Sequence, residues 1–175
     1  MNEITPTVKT ERLVLRPFSE GDAAPLHQIL GVEGVLCYFP SPDPPALEQV
    51  QRLVAHQIKH WQEHGLGWWA LEPRHSPELI GWCGLQYLPE TDQVEVAYLL
   101  GKDHWGQGLA TEAAVASLHF GFEALNLDAI IALVHPENRA SRRVIEKLDM
   151  SFVDRCHLWG IDLYRYSIDS SAFRK

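Results

Sequence analysis

The 175-residue chain predicts a single α/β domain, residues 1–175, with about four helices packed on one mixed sheet. Three observations carry that expectation. Strand-like and helix-like runs follow the order βαα, βββ, αβα, ββ; a strand–helix–strand unit sits in the middle of it; and no linker divides the chain. The length suits about one domain and suffices for a substantial core.

Residues 11–16 alternate polar and apolar, a half-buried first strand closed by Pro17. Asp22 is placed as the N-cap of a helix reaching about residue 30. Four prolines within residues 40–45 exclude helix and give a stiff loop. Residues 46–64 form the second helix, with Leu47, Val50, Val54, Ile58 and Trp61 on one face, and Gly65 and Gly67 end it. Extended segments at 68–71, 79–88 and 94–100 follow, the last two joined by the turn Pro89-Glu90-Thr91-Asp92. Meanders of this kind pair antiparallel. A third helix runs from about 108 to 125 and buries Ala114, Leu118, Gly121 and Leu125. Residues 129–134 are apolar on both faces, the mark of a central strand, and Pro136 breaks them. Asn138 then caps a helix over 139–148, with Val144, Ile145 and Leu148 facing in. Residues 152–158 and 161–167 close the chain as a hairpin around Trp159-Gly160.

Composition narrows the function classes. With 46% hydrophobic and 22% charged residues, the chain is ordinarily globular. No apolar run approaches the ~18 residues of a membrane span, and residues 1–12 lack the apolar stretch of a secretion signal. Cys37, Cys83 and Cys156 are far apart and odd in number, which predicts free thiols in a reducing cytoplasm. A net charge of −8 argues against general nucleic-acid binding and fits a cationic substrate. Monomer and homodimer both stay open.

Residues 104–112, His-Trp-Gly-Gln-Gly-Leu-Ala-Thr-Glu, join a strand-like run to a long helix. Gly106 and Gly108 allow a tight bend and close backbone approach, and the unpaired N–H groups of the helix's first turn favour an anion. A Rossmann turn requires glycine where Thr111 stands. A phosphate-binding P-loop requires Gly-Lys-Ser/Thr, absent from the chain. The remaining pattern, strand, x-Gly-x-Gly-x-Ala, helix, resembles the acyl-CoA pyrophosphate loop of the GNAT N-acetyltransferase superfamily. Residues 10–17 with Asp22-Ala23, residues 105–113, and residues 138–148 are similar, in order and spacing, to segments of its ribosomal-protein N-terminal (alanine/serine) acetyltransferase branch. Two positions depart. Trp105 replaces the frequent Gln or Arg, removing one side-chain phosphate contact, and Asp149 replaces a glycine at a left-handed turn, at a cost of order 1 kcal/mol.

The resemblance implies a mostly antiparallel sheet whose central strand pair splays apart. It also implies acetyl-CoA as co-substrate and a primary amine as acceptor, attacked directly with no covalent acyl-enzyme. Main-chain groups of Trp105, Gly106, Gln107, Gly108, Leu109 and Ala110, with Thr111, would hold the pyrophosphate. Val96, Tyr98, Leu99 and Leu100 would offer a strand edge to pantetheine, and an N–H near Leu99 or Leu100 would stabilise the oxyanion. Asn138 would hydrogen-bond CoA and Ser141 would protonate its sulfur. Capping of the helix explains both residues equally well, and Tyr98 and Tyr166 are substitutes for Ser141. Within the basic cluster Arg139, Arg142, Arg143 and Lys147, position 142 or 143 would meet the 3′-phosphate, unless the cluster is only a solvated helix face.

Glu95 is the candidate general base, the only carboxylate inside the strand before the loop, where partial burial raises its pKa. It could equally face outward beside a surface cation. His135 is its rival, although a loop histidine without a role is the plainer reading. Acceptor choice is assigned to the first two helices and residues 37–45, with Asp43 and Glu33 as contacts for an ammonium group. The acceptor itself (protein N-terminus, amino acid, polyamine or antibiotic) stays open. His56, His60 and His64 recur every four residues but lie opposite the apolar stripe, so no metal is expected. Two other classes stay in view: a non-catalytic acyl-CoA sensor, and a nucleotide-binding oxidoreductase, which Thr111 disfavours.

Overall fold

The structure, a computed structural model, describes residues 5–173. Eight strands form one sheet: β1 (Val8–Lys9), β2 (Leu13–Arg16), β3 (Trp68–Pro73), β4 (Gly81–Leu88), β5 (Gln93–Leu100), β6 (Ala129–Val134), β7 (Ser151–Leu158) and β8 (Ile161–Asp169). Their spatial order is β1-β2-β3-β4-β5-β6-β8-β7. Every neighbouring pair is antiparallel except β5–β6, which is parallel. A parallel pair needs a crossover, and α3 (Leu109–His119) supplies it.

Alternation along the strands sends side chains to two cores. On one face, α1 (Ala23–Leu30) and α2 (Leu47–His64) cover Ala70, Trp82 and Leu99. On the other, α3 and α4 (Arg139–Lys147) cover Val96, Leu100, Ile130 and Ala132. Thus Ala97 and Leu99 of β5 face the first pair of helices, while Val96, Tyr98 and Leu100 face the second. Glu95 shares the parity of Ala97 and Leu99.

The order of elements follows the sequence expectation, with local corrections. A short strand, β1, and a terminal turn of helix, α5 (Ser170–Phe173), were not foreseen. Asp22 occupies the N-cap position of α1, but its side chain makes no cap hydrogen bond to that helix. It sits third in a preceding 3-10 turn capped by Ser19, and its carboxylate accepts the Ser19 N–H at 2.7 Å and the Arg16 guanidinium at 2.7 and 2.8 Å. Leu47 stays exposed. The third helix stops at His119 and continues as a wider π-turn over Phe120–Ala124, in which the Leu125 N–H reaches back to the Phe120 carbonyl. Gly121 explains the close seating there, because a Cβ would lie 2.6 Å from Ile130 Cδ1.

Candidate active site

The expected splay is present. β4 and β5 pair along all eight residues, whereas β5 and β6 meet in register at one pair, Glu95 with Ile131. Beyond that vertex the strands diverge, and a cavity of about 1080 Å³ opens between residues 96–100 and 132–134. One end reaches the glycine loop and α4; the other reaches the α1/α2 face of the sheet.

The loop end fits an anion. Gly106 and Gly108 have φ of +71° and +77°, values that favour glycine. Gly108 is the N-cap of α3, and no side chain caps the first turn. A Cβ on Gly106 would meet nothing within 4 Å, so the space before it is open. The Thr111 hydroxyl on the cavity wall is buried without a partner. Open amides and an orphaned hydroxyl are what a pyrophosphate would satisfy.

Two contacts brace this loop from outside. Arg12 donates from Nε to the Glu112 carboxylate at 2.7 Å and from Nη1 to the Gln107 carbonyl at 2.9 Å. Glu112 also accepts the Arg12 N–H at 2.8 Å and the Thr10 hydroxyl at 2.6 Å. Trp105 has a role that its sequence position did not reveal: its indole N–H donates to the Leu100 carbonyl at 2.8 Å, tying loop to strand.

Glu95 lies at the vertex, 6% exposed, on the cavity wall. Burial pushes its carboxyl up to about 8, against the Leu133 backbone and a hydrogen bond donated by Gln86 Nε2 at 3.3 Å, which both favour the anion. The alternative of an outward carboxylate beside a surface cation is not what is found. On the opposite face, Tyr98 and Ser141 share a hydroxyl–hydroxyl hydrogen bond of 2.8 Å, and Tyr98 also donates to the Ser141 carbonyl at 3.1 Å. Asn138 Oδ1 accepts the Ser141 N–H at 3.1 Å, a cap of α4, and both residues line the cavity.

Of the residues singled out in sequence, Val96, Tyr98, Leu99, Leu100, Trp105, Gly106, Gly108, Leu109, Ala110 and Thr111 line one cavity with Glu95, Asn138 and Ser141. Several do not join them. Gln107 turns away, its amide donating to the Asp103 carbonyl at 3.0 Å. Arg142 bonds the Pro136 carbonyl at 3.3 Å and sits over the Tyr164 ring, so Arg139 and Arg143 are the arginines on the wall. Tyr166 is buried in the core, with the exposed Phe152 ring set edge-on to it. Asp43 and Glu33 are absent from the lining, although Cys37, Tyr38, Phe39 and Pro40 of the same segment belong to it. His135 reaches the cavity with its ring stacked on Tyr38 at 5.2 Å.

Of the three histidines read as outward, His56 and His64 are exposed and only His60 needs correction. His60 is buried and its Nδ1 pairs with the Leu66 carbonyl at 2.8 Å, while His56 and His64 flank its ring. Among the described residues no three His, Cys, Asp or Glu side chains converge as a metal cluster. Sequence reasoning missed the aromatic wall of Trp68, Trp82 and Trp159. The adjacent Trp68-Trp69 pair was a signal, since in a strand only one of two successive residues can enter the same core.

An open glycine turn at a helix N-terminus is thus joined by a slot to a buried carboxyl. A family model described as an acetyltransferase (GNAT) domain matches residues 12–151, and the chain belongs to that family. It is an N-acetyltransferase. A Bacillus subtilis (strain 168) protein, YkkB, is 31% identical over 91% of this chain and 93% of its own length. An N-acetyltransferase, p20, of Bacillus licheniformis is 32% identical over 81% and 80%. Among solved structures, an acetyltransferase of Agrobacterium tumefaciens str. C58 superposes with a TM-score of 0.81 at 30% identity, covering 93% of this chain and 94% of that one. RimL, a ribosomal L7/L12 α-N-protein acetyltransferase in complex with coenzyme A, shares the fold with a TM-score of 0.79 at 18% identity over 95% and 98%.

Proposed function

We propose that this chain transfers the acetyl group of acetyl-CoA directly to a primary amine, with Glu95 as general base and the Tyr98–Ser141 pair as proton donor to sulfur. Acetyl-CoA supplies an activated thioester. The first-turn amides of α3, the Thr111 hydroxyl and the main chain from Gly106 to Ala110 hold its phosphates, and Arg143 or Arg139 meets the 3′-phosphate. The edge of β5 from Val96 to Leu100 accepts the pantetheine arm, and a backbone N–H of Leu99 or Leu100 polarises the carbonyl.

Glu95 faces the α1/α2 side, so the amine approaches from there and gives up its proton to the carboxylate. Tyr98 and Ser141 face the α3/α4 side and return a proton to the departing thiolate. The new C–N bond and the broken C–S bond therefore lie between the two faces. No cysteine is needed. Cys83 is buried with its thiol pushed up to about 12 by that burial, and Cys37 lies on the acceptor wall away from the loop.

The observation that carries this reading is the single β5–β6 pair at Glu95–Ile131, which places the carboxyl at the head of a slot running to the anion cradle. Free-thiol release from acetyl-CoA with a panel of amines tests it. Turnover that depends on Glu95 is expected. Tight CoA binding with no turnover on any amine would instead mark a sensor module, and NAD binding without CoA binding would remove both readings.

A further inference from the structure

We infer that the acceptor is a primary monoamine carrying a flat aromatic body, held against the parallel indoles of Trp68 and Trp82; this rests on the acetyl-transfer reading above. The cavity, about 1080 Å³, runs on from the phosphate end to the α1/α2 face of the sheet, where the acceptor of the proposed reaction would enter. The space on the α1/α2 face is walled by Tyr38, Phe39, Trp68, Trp82, Trp159 and Leu163. Trp68 and Trp82 stack with ring centroids 3.7 Å apart and planes 7° from parallel. Close approach of β3 and β4 makes this stack possible: a Cβ on Gly84 would lie 2.7 Å from Trp68 Cα. Flat aromatic walls favour flat partners through area and ring quadrupole together.

The charges on the wall argue against other amines. A polyamine carries a second ammonium that needs a second anion. On this half of the cavity Glu95 is the one carboxyl among the described residues. The other charged lining residues, Glu137, Arg139, Arg143 and Lys147, belong to α4 and its approach, beside the phosphate cradle. A peptide acceptor would bring backbone amides to a wall that offers few polar partners.

An unpartnered indole on this half of the cavity refines the class. Trp61, Trp69, Trp105 and Trp159 all donate their indole N–H to protein acceptors at 2.7–3.0 Å. The Trp68 Nε1, on the cavity wall, is buried with no partner. A buried donor left unpaired is costly. An acceptor molecule with an oxygen on its ring would satisfy it.

The test uses thiol release from acetyl-CoA with 2-phenylethylamine, tyramine, spermidine and a serine-initiated hexapeptide. The two aromatic amines should exceed spermidine and the peptide in kcat/KM by about tenfold or more, and tyramine should lead. Trp68→Phe should abolish tyramine's lead while keeping turnover. Trp68→Ala should raise KM for both aromatic amines about tenfold and leave KM for acetyl-CoA unchanged. If that variant fails to fold, Tyr38→Ala reads the same wall from the loop. Faster turnover of spermidine or the peptide overturns the aromatic assignment and leaves acetyl transfer standing. No thiol release with any amine, while CoA still binds by calorimetry, takes down both.

Discussion

The Tyr98 hydroxyl lies 2.8 Å from the Ser141 hydroxyl, joining β5 to the first turn of α4 across the mouth of the slot. Sequence treats the two as alternative proton donors; geometry makes them one hydrogen-bonded unit. The Tyr98 proton is hard to remove, since burial raises its pKa. A serine hydroxyl is no stronger an acid, so under the proposed reaction the two hydroxyls act as one unit rather than either alone.

A coupled pair gives non-additive kinetics. Ser141→Ala and Tyr98→Phe should each lower kcat by about tenfold, because a thiolate leaves with little assistance. The double variant should lose no more than the worse single one. Steady-state kinetics on the four proteins checks this, and multiplicative losses would mean two independent roles.

Glu95 should write its pKa into both rate and stability. As a base it works ionised, so kcat/KM should rise with pH through a midpoint near 8. Glu95→Gln should lose that limb and about a hundredfold in rate. Its folded value lies above the ordinary 4.5. The associated stability is therefore fully present below pH 4.5 and is lost progressively as pH rises through about 8, at about 1.4 kcal/mol per unit. Melting scans from pH 5 to 9 should show wild type weakening and the Gln variant not.

The Arg12–Glu112 brace predicts a binding defect. Arg12 is half exposed, so the ion pair itself adds little stability; its effect is to hold Gln107 and the loop. Glu112→Ala should raise KM for acetyl-CoA several-fold with a smaller change in kcat, and should reduce the thermal shift caused by CoA at fixed concentration.

Asp149 was expected at a left-handed turn, and it has φ +56°. Asp149→Gly should raise stability by about 0.5–1 kcal/mol, a Tm increase of about 1–4 °C for a chain of this size. Activity should be unchanged. Differential scanning calorimetry decides it.

What the sequence disclosed was periodic or local. The stripe of α2, the two-faced apolar run of β6 and the cap of α4 at Asn138 follow from spacing within a few residues. The glycine loop was legible because its conformation is written in Gly106 and Gly108 themselves. What escaped depends on distant partners. Glu95 is buried because β6 arrives beside it at Ile131, and Tyr98 meets Ser141 from 43 residues away. His60 looked outward on a helical wheel, yet the chain turns back at Gly65 and brings the Leu66 carbonyl to it. Arg142 and Arg143 are neighbours, and the Pro136 carbonyl and the Tyr164 ring, which hold Arg142 away from the cavity, separate their fates. The aromatic wall draws on β3, β4, the β7–β8 hairpin and the segment after α1, which no single window spans.

Strands that touch at one rung leave two rims inside the molecule with backbone groups free to bond. At a protein's outer border such rims recruit stray strands and seed aggregation. Here Asn138, Ser141 and Val144 stand on one side and the segment from Tyr38 to Pro40 on the other. Both rims are thus walled inside the molecule, with their backbone groups turned to the cavity instead of the outer border. The same opening that shortens the β5–β6 ladder to one rung leaves unpaired strand edge facing inward, where no neighbouring sheet can extend it.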